Sequence, residues 1–276
     1  MRRTSSDEIV LTAPRVGSAL AAWREVWRAR EVVRAFAVRS LRIRYRQAFL
    51  GVLWAVAQPL ALLVPFLVFF KASAGSNGSR AATTLAALVG WQYLSGAVTT
   101  GAGALVSEAF LVRKTWFPRE APVVAAVGAS GVDLGLGLLL YGIVGPILGA
   151  RPGWGLVTLP LLVVALAVVA LALSLPLAAL NAQFRDVRHA LPFLVLLWLF
   201  VSPVAYPLSR WSGRQRLAFA LANPAAGPLD GFRRVLAEGR WPDFGLLAAS
   251  LGTALVLGAF GHRRFRRLAP NLPDVI

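Results

Sequence analysis

The fold is decided by the stretch Pro152–Phe184, which reads PGWGLVTLPLLVVALAVVALALSLPLAALNAQF and carries no charge over 33 residues. A helix needs about 20 apolar residues to cross a bilayer. It also satisfies its own backbone hydrogen bonds there. A β-barrel strand would alternate polar and apolar residues, and this stretch does not alternate. The stretch therefore predicts a membrane-spanning helix.

Five further uncharged or nearly uncharged runs have about the length of a span. They are Leu50–Phe70, Ala81–Ser107, Pro122–Ala150 (interrupted only by Asp133), Ala190–Ser209 and Phe244–Gly261. We therefore predict an all-α integral membrane protein with six transmembrane helices over residues 49–262. The shorter run Leu217–Leu229 contains prolines and a glycine. It predicts either a re-entrant hairpin, within an outer region at 208–242, or an apolar loop packed on the protein.

The composition excludes several other classes of protein. The hydrophobic set makes up 57% of the 276 residues and the charged set 15%, yet the formal net charge is +17. A disordered chain would be poor in apolar residues, and a soluble nucleic-acid binder would carry its charge on a hydrophilic surface. We therefore expect no nucleic acid among the partners. Cysteine is absent from the sequence, which excludes a disulfide framework and a thiolate metal site.

The basic residues predict the orientation of the chain. With six spans, 20 of the 29 Lys and Arg residues fall on one side of the membrane. Positive flanking residues stay on the cytoplasmic side, where anionic lipids attract them. Both termini are therefore predicted to be cytoplasmic, with a basic tail at 263–276. The first apolar run begins only at Leu50, so we predict no cleaved signal peptide.

The N-terminal region divides into a flexible tail at 1–20 and an amphipathic interfacial helix at 21–48. Apolar residues share one face of this helix, and arginines cluster on another. The apolar set is Trp23, Val26, Val33, Ala37 and Leu41, and the basic set is Arg24, Arg28, Arg39, Arg42 and Arg46. The pattern is typical of an anchor that only sets the topology, or of an anchor that also contacts a cytoplasmic partner.

Two predicted inner loops combine charge with aromatic or polar residues. Val112–Glu120 predicts a short helix that presents Trp116 and Phe117 as knobs, with Pro118 starting the following helix. Exposed aromatic side chains of this kind can insert into a groove on a partner protein. Alternatively, Trp116 and Phe117 lie at the level of the lipid headgroups. The second loop, Asn181–His189, holds a histidine with no second ligand at metal spacing, so we predict no metal site.

Asp133 is the one acidic residue deep in a predicted span. No span offers it a lysine or arginine, so we expect it to be protonated, bonded to Ser130, or facing a water-filled lumen. A proton relay normally needs more than one titratable group. Gly131 and Gly135 form a G-x-x-x-G pair, which is weak evidence of a dimer seam.

Aromatic residues gather towards the predicted outer side of the spans. Aromatic residues are enriched in belts at the membrane–water boundary, which would account for them. Side chains that pack against lipid would have the same spacing. Because aromatic rings also stack on sugar rings, a lumen lined by them would suit a glycan. The aromatics concerned are Phe66, Phe69, Phe70, Trp91, Tyr93, Tyr141, Trp198, Phe200 and Tyr206.

No catalytic motif accompanies these features. A phosphate-binding loop of the G-x-x-x-x-G-K-[ST] type is absent, since neither Lys71 nor Lys114 follows a glycine. The zinc-protease and nucleophile-elbow motifs are also absent. We therefore predict that the chain is not an enzyme, and that an ATP-driven pump would need a separate ATPase subunit.

Several stretches, taken in order, resemble the type-2 ABC exporter permeases for polysaccharides. The resemblance covers about Ala35 to Gly261, and the set of stretches, in this order and spacing, is specific for the family. The stretches are Arg44–Pro59 (RYRQAFLGVLWAVAQP), Trp91–Leu94 (WQYL) with Leu105–Ser107 (LVS), Arg113–Arg119 (RKTWFPR), Asn181–Val187 (NAQFRDV), Trp198–Pro207 (WLFVSPVAYP), and Asn223-Pro224 with Gly231-Phe232-Arg233.

The resemblance implies a permease subunit in a bacterial cytoplasmic membrane. Two copies would form a channel for a lipid-linked polysaccharide such as O-antigen or teichoic acid. Two ATP-binding subunits would dock from the cytoplasm and hold ATP and magnesium, so this chain binds no cofactor. The region 208–242 would form an outer gate. The short tail carries no carbohydrate-binding appendage, so any such domain would belong to the ATPase subunit.

The family pattern also assigns roles to individual positions. The implied ATPase-coupling residues are Arg113, Lys114, Thr115, Trp116, Phe117, Pro118 and Arg119, with Arg185 and Asp186. The implied channel residues are Phe66, Phe70, Trp91, Tyr93, Trp198, Phe200 and Tyr206. Two alternatives remain: a type-2 permease for drugs or other lipids, and a proton-coupled carrier or membrane enzyme.

Overall fold

The computed structural model describes residues 19–46, 77–204, 206–208 and 211–269, with isolated positions 57, 58, 61 and 64. Within these residues every regular element is a helix and no strand occurs, so the predicted all-α class is confirmed. The span predicted at Leu50–Phe70 lies almost wholly outside the described residues, and its aromatic residues Phe66 and Phe70 lie outside them too.

The described chain forms eleven α-helices and two shorter turns. A 3₁₀ turn, Trp154–Thr158, precedes α7, and a π turn, Arg233–Ala237, follows α10. The helices are α1 (Ala19–Arg28), α2 (Arg30–Arg46), α3 (Asn77–Ser107), α4 (Ala109–Lys114), α5 (Ala121–Ala129), α6 (Gly131–Ile147), α7 (Leu159–Gln183), α8 (Asp186–Val201), α9 (Gly213–Ala222), α10 (Ala226–Phe232) and α11 (Phe244–Leu268).

Three helical stretches among the described residues are long and apolar enough to cross a membrane. They are Ala121–Ile147, which joins α5 and α6, Trp154–Gln183 and Phe244–Leu268. They coincide with three of the six predicted spans. Helix α3 has 31 residues but includes polar ones, and α8 has only 16 residues. The count of six therefore stays a prediction.

Helix α7 lies at the centre of the described bundle and packs against both α3 and α11. Small residues allow these close approaches, as expected where lipid supplies no hydrophobic drive between helices. A Cβ added at Gly101 of α3 would lie 2.5 Å from Ser174 Oγ of α7. On the other side of α7, a Cβ at Gly261 of α11 would lie 2.7 Å from Pro176 Cγ. Asn181 Nδ2 adds a hydrogen bond to the Ala102 carbonyl oxygen at 3.0 Å.

The loops separate to opposite ends of this bundle. One end, called the α2 end below, holds α2, the segment 108–120 and the last turns of α11, which contact one another. The other end, called the α10 end, holds the turn at 148–158 and the π turn. There the Arg151 N–H donates to the Ala237 carbonyl oxygen at 3.0 Å. The long helical stretches thus run in alternating directions: α3, then α5 with α6, then α7, α8 and α11.

The predicted N-terminal helix is two helices, separated at Ala29. Its apolar face packs on the protein rather than standing free: Phe36 is buried, and Val33 and Ala37 pack against the same cluster. Helix α2 lies along α5. An interfacial position of this helix in the membrane stays a prediction.

The region predicted to form the outer gate, 208–242, contains two short helices joined at Asn223-Pro224-Ala225. Helix α9 is largely exposed, with only Ala220 buried, and a capping box between Ser212 and Gln215 starts it. Helix α10 is buried along its whole length, against α3, α7 and α11. Its Gly227 lies so close to α11 that a Cβ there would sit 2.6 Å from the Leu246 carbonyl oxygen. A re-entrant path through the membrane stays a prediction.

Candidate functional site

The segment between α3 and α5 differs from the predicted short helix. Helix α4 ends at Lys114, and Trp116, Phe117 and Pro118 follow it without regular structure. Helix α5 begins at Ala121 and has a proline, Pro122, in its first turn. The prediction that Pro118 starts the following helix is therefore wrong. Trp116 and Phe117 lie on the irregular segment 115–120 between α4 and α5, called the strap below. Because this segment is not helical, neighbouring side chains point to different sides.

Trp116 and Phe117 consequently have different environments. The Trp116 side chain is 65% exposed, whereas Phe117 is 6% exposed. The Phe117 ring packs edge-on against the Phe36 ring of α2, with centroids 5.3 Å apart. The Arg119 guanidinium lies 5.2 Å from the Phe117 ring centroid. Phe117 therefore anchors the strap on α2, and its predicted role as an exposed knob is wrong.

The exposed part of this end carries both charge and aromatic surface. Arg113, Lys114 and Thr115 are exposed beside Trp116, and Arg185 and Asp186 are exposed at the start of α8. Sequence reasoning missed two exposed aromatics here, Phe110 and Phe184. The ammonium of Lys114 lies 4.4 Å from the Phe110 ring centroid, a cation–π contact that the i, i+4 spacing could have indicated.

Arg119 is the least solvated of the predicted coupling cations. Its Nη1 atom is buried and has no hydrogen-bond partner among the residues that the structure describes. Burial lowers the pKa of this guanidinium from its ordinary value. Its stacking on Phe117 places it behind the exposed surface, where it supports the strap rather than forming the outer face.

A buried ionic cluster joins the strap to α11 and α1. His262 Nε2 lies 3.0 Å from Glu120 Oε1, and Arg266 Nη1 lies 3.9 Å from the same oxygen. The Trp23 ring of α1 lies over His262 with centroids 5.8 Å apart. Burial opposes ionisation of Glu120, but the hydrogen bond from His262 and the nearby positive charges outweigh it, so the pKa of this carboxyl lies below its usual value. Sequence reasoning gave His262 no role.

Asp133 has a cationic partner that the sequence argument did not find. Its carboxylate forms an ion pair with the guanidinium of Arg44, on α2. No span supplies this cation; instead α2 folds back along α5 and brings it. Ser130, the predicted partner, donates to the Ala126 carbonyl oxygen at 3.1 Å and lies 3.3 Å from Thr100 Oγ1.

A second ion pair holds the same helix. Arg39 Nη1 of α2 lies 3.0 Å from Glu108 Oε2, at the junction of α3 and α4. Burial raises the pKa of the Glu108 carboxyl, and the charge of Arg39 opposes that rise. Two arginines five positions apart therefore fasten α2 to two different helices. Among the described residues, no three His, Cys, Asp or Glu side chains gather in a group that could hold a metal ion.

The predicted channel aromatics occupy mixed positions. Trp91 and Tyr93 are buried at 3% exposure each, in the core of the single chain. Trp91 packs edge-on against Trp198, with centroids 5.2 Å apart, and Trp198 Nε1 donates to Asn223 Oδ1 at 3.1 Å. Phe200 is exposed. The structure thus brings Trp91 and Trp198 together, but within the core.

Tyr206 lies at the α10 end beside the buried Arg233. The Tyr206 hydroxyl donates to the Val201 carbonyl oxygen, and its ring stacks on Trp211 with centroids 6.3 Å apart. The Arg233 guanidinium donates to the carbonyl oxygens of Pro203 and Tyr206. Arg233 thereby fixes the turn that follows α8.

Comparison with known proteins adds a family match to this geometry. Residues 31–237 match the family model described as ABC-2 type transporter. The chain is 31% identical over 236 residues to the O-antigen export system permease protein RfbA of Myxococcus xanthus, which covers 85% of this chain and 91% of the relative. Two proteins of the same name from Klebsiella pneumoniae are 20% and 22% identical, each over 86% of this chain and 92% of the relative.

Proposed function

The chain belongs to the ABC-2 type transporter family, and we propose that it is the permease subunit of an ATP-driven exporter for a lipid-linked cell-surface polysaccharide such as O-antigen. The observation that carries the proposal is the similarity to an O-antigen permease over most of both chains. The three apolar helices long enough to span a membrane fit such a role.

We propose six spans in the cytoplasmic membrane, with both termini and the α2 end in the cytoplasm. The alternating direction of the helices supports this, because it collects the segments richest in Lys and Arg at one end. A second copy would complete the channel. Helix α8 supports this assembly, since only Leu191 and Leu199 of it are buried in the single chain.

The ATPase partner would dock on the exposed surface around Trp116. An exposed aromatic surrounded by Arg113 and Lys114 is the arrangement that a partner groove grips. Phe117, Pro118 and Arg119 would transmit force rather than touch the partner, because they hold the strap against α2. ATP and magnesium would bind to the partner, and closure of the ATPase pair would move the strap together with α2 and α5.

The sugar path would use the exposed aromatics more directly than the buried ones. Phe200 is accessible on α8, whereas Trp91 and Tyr93 would support the wall from behind. Trp198 joins that wall to the α9–α10 corner through Asn223. The lipid would cross alongside the glycan, next to the protein surface.

Two substitutions in the strap test the coupling role. Trp116→Ala should abolish co-purification of the ATPase subunit and the appearance of surface polysaccharide, while the permease keeps its thermal stability. The matched control is Trp154→Ala, an even more exposed tryptophan at the α10 end, which should retain both. Phe117→Ala should instead lower stability by about 3–5 kcal/mol, since it removes a buried ring.

The results of these experiments distinguish an error in the proposed docking surface from an error in the proposed function. Normal association and export in Trp116→Ala would overturn the docking surface only. Deletion of the gene should remove the polysaccharide from the cell surface while it accumulates inside. Unchanged surface polysaccharide after deletion would overturn the proposed function and favour another lipid or a drug as the substrate.

A further inference from the structure

A cavity of about 620 Å³ opens at the α2 end, between α2, α3 and the start of α8. Phe36 and Ile43 of α2 line one side, Gly103 of α3 lines another, and Leu191 and Pro192 of α8 contribute to the rest. The volume falls in the range of about 300–1,000 Å³ that is typical of small-molecule sites. Neither the strap nor the aromatic pair of the core contributes to it.

The charge in this cavity is predominantly positive. Among the described residues that line it, Arg39, Arg44 and Arg188 stand against the single carboxylate of Glu108. Arg39 and Arg44 are paired with acidic residues, but Arg188 forms no ion pair within the described part of the chain. A guanidinium presents a planar fork of donors that matches a phosphate group. The cavity therefore favours an anion with oxygens on more than one side.

The other lining groups divide into polar and apolar sets. The hydroxyl groups of Ser40 and Thr99 line the cavity and can donate to phosphate oxygens. The Ser107 hydroxyl also lines it, but it donates to the Ala104 carbonyl oxygen at 2.9 Å. Ile43 and Leu191 add apolar surface at the same cavity, and Ile43 is exposed. A neutral sugar would leave the Arg188 guanidinium without a counter-charge, since Arg39 and Arg44 already have acidic partners. A small free anion would make no use of the apolar lining residues. An amphiphile with a phosphate head uses both.

We propose that this cavity binds the phosphate head of a membrane lipid, with the tail leaving past Ile43 and Leu191. The identity of the lipid rests on the proposed function, because the phosphate that joins a glycan to its lipid has this chemistry. The head of an ordinary anionic phospholipid has it as well. Binding would also offer Arg39 an alternative to Glu108, so the ligand would act on the contact that holds α2.

Binding to the full-length permease with its ATPase partner, in phosphatidylcholine nanodiscs, tests the site. The probe is a radiolabelled polyprenyl diphosphate, and excess unlabelled phosphatidylglycerol is the competitor. Arg188→Gln should weaken binding about tenfold, since one charge-assisted hydrogen bond is lost. Gly103→Leu should weaken binding at least as much without altering charge. Among the described residues nothing lies within 4 Å of a Cβ at Gly103, which lines the cavity, so the side chain would enter it.

Two variants elsewhere serve as matched controls. Arg263→Gln removes an exposed arginine at the same end, and Gly252→Leu adds the same side chain at another open glycine. Both should bind the probe as the natural chain does. If Arg188→Gln fails to fold, Gly103→Leu still tests the cavity. Binding by both cavity variants at the level of their controls would overturn the proposal.

The competitor assigns the source of the phosphate. Weak competition by phosphatidylglycerol, with binding that depends on Arg188 and Gly103, supports the lipid that carries the glycan. Equal competition with the same dependence supports a bulk phospholipid at this site. Surface polysaccharide in cells is scored separately. Export by the natural chain, with lipid binding unaffected by both cavity variants, would overturn this site and leave the proposed function standing.

Discussion

Arg44 of α2 and Asp133 of α6 form an ion pair across 89 positions of sequence. Each side chain is about one-quarter exposed, so the pair is neither fully solvated nor fully buried. The finding favours a positioning role for Asp133: it fixes where α2 ends against the bundle.

Removal of either partner should loosen α2. Arg44→Gln and Asp133→Asn should each cost about 1–3 kcal/mol, between the values for exposed and for buried pairs. The loss should be visible as faster amide hydrogen exchange confined to α2. A double-mutant cycle isolates the interaction, and a coupling energy near zero would contradict the positioning role. Arg42→Gln, at an exposed position of the same helix, is the control.

The Glu120–His262 contact predicts a dependence of stability on pH. The pKa of Glu120 is lower in the folded protein than its ordinary value of about 4.3. Such a carboxylate contributes stability above its unfolded pKa, and the contribution is lost as the pH falls through the folded pKa. Glu120→Gln should therefore cost about 1.5–3 kcal/mol at pH 7, since a hydrogen bond to a charged group is lost.

Thermal unfolding at pH 7 and below about pH 4 measures this dependence. The difference in melting temperature between Glu120→Gln and the natural chain should shrink in acid. Glu31→Gln, at an exposed position of α2, should show little difference at either pH. A difference for Glu120→Gln that stays constant with pH would rule out a charge-dependent contribution.

Three of the six apolar runs in the sequence coincide with described helical stretches long enough to span a membrane. Contacts between distant segments could not be predicted from the sequence. Pro152–Phe184 predicted one span, and the structure has a 3₁₀ turn followed by α7 within those bounds. The partner of Asp133 could not be predicted, because it lies on a helix that returns along the bundle. The burial of Phe117 depends on which side of an irregular strap faces α2, and no periodicity encodes that.

Gly101 should be essential to the contact between α3 and α7. Gly101→Ala places a Cβ 2.5 Å from Ser174 Oγ and 2.7 Å from Ser174 Cβ, so the two helices must separate. The variant should be destabilised by about 1–3 kcal/mol, the typical cost of overpacking. Gly101→Ala combined with Ser174→Gly should recover part of the loss, since the clashing side chain is removed.

A second glycine provides the contrast for this measurement. In the described part of the chain nothing lies within 4 Å of a Cβ at Gly142 of α6, so Gly142→Ala should be neutral or stabilising by up to about 1 kcal/mol. Thermal unfolding of the purified chain measures both. Equal effects at Gly101 and Gly142 would mean that helix propensity, rather than the close approach to Ser174, determines the result.

The aromatic residues of the proposed sugar path should separate into two groups by their effect on stability. Phe200→Ala removes an exposed ring, so it should lower the rate of polysaccharide export with the melting temperature unchanged. Trp91→Ala removes a buried ring that packs on Trp198, so it should cost about 3–5 kcal/mol and reduce export only through the amount of folded protein.

Phe193, an exposed phenylalanine on α8, supplies the control for that separation. Phe193→Ala should export normally if the sugar path depends on ring position and not simply on exposed apolar area. Export is scored as surface polysaccharide per folded permease, so that loss of protein is not counted as loss of transport. Normal export by Phe200→Ala would remove the sugar-stacking role from α8, because no other exposed aromatic of the predicted channel set lies on that helix among the described residues.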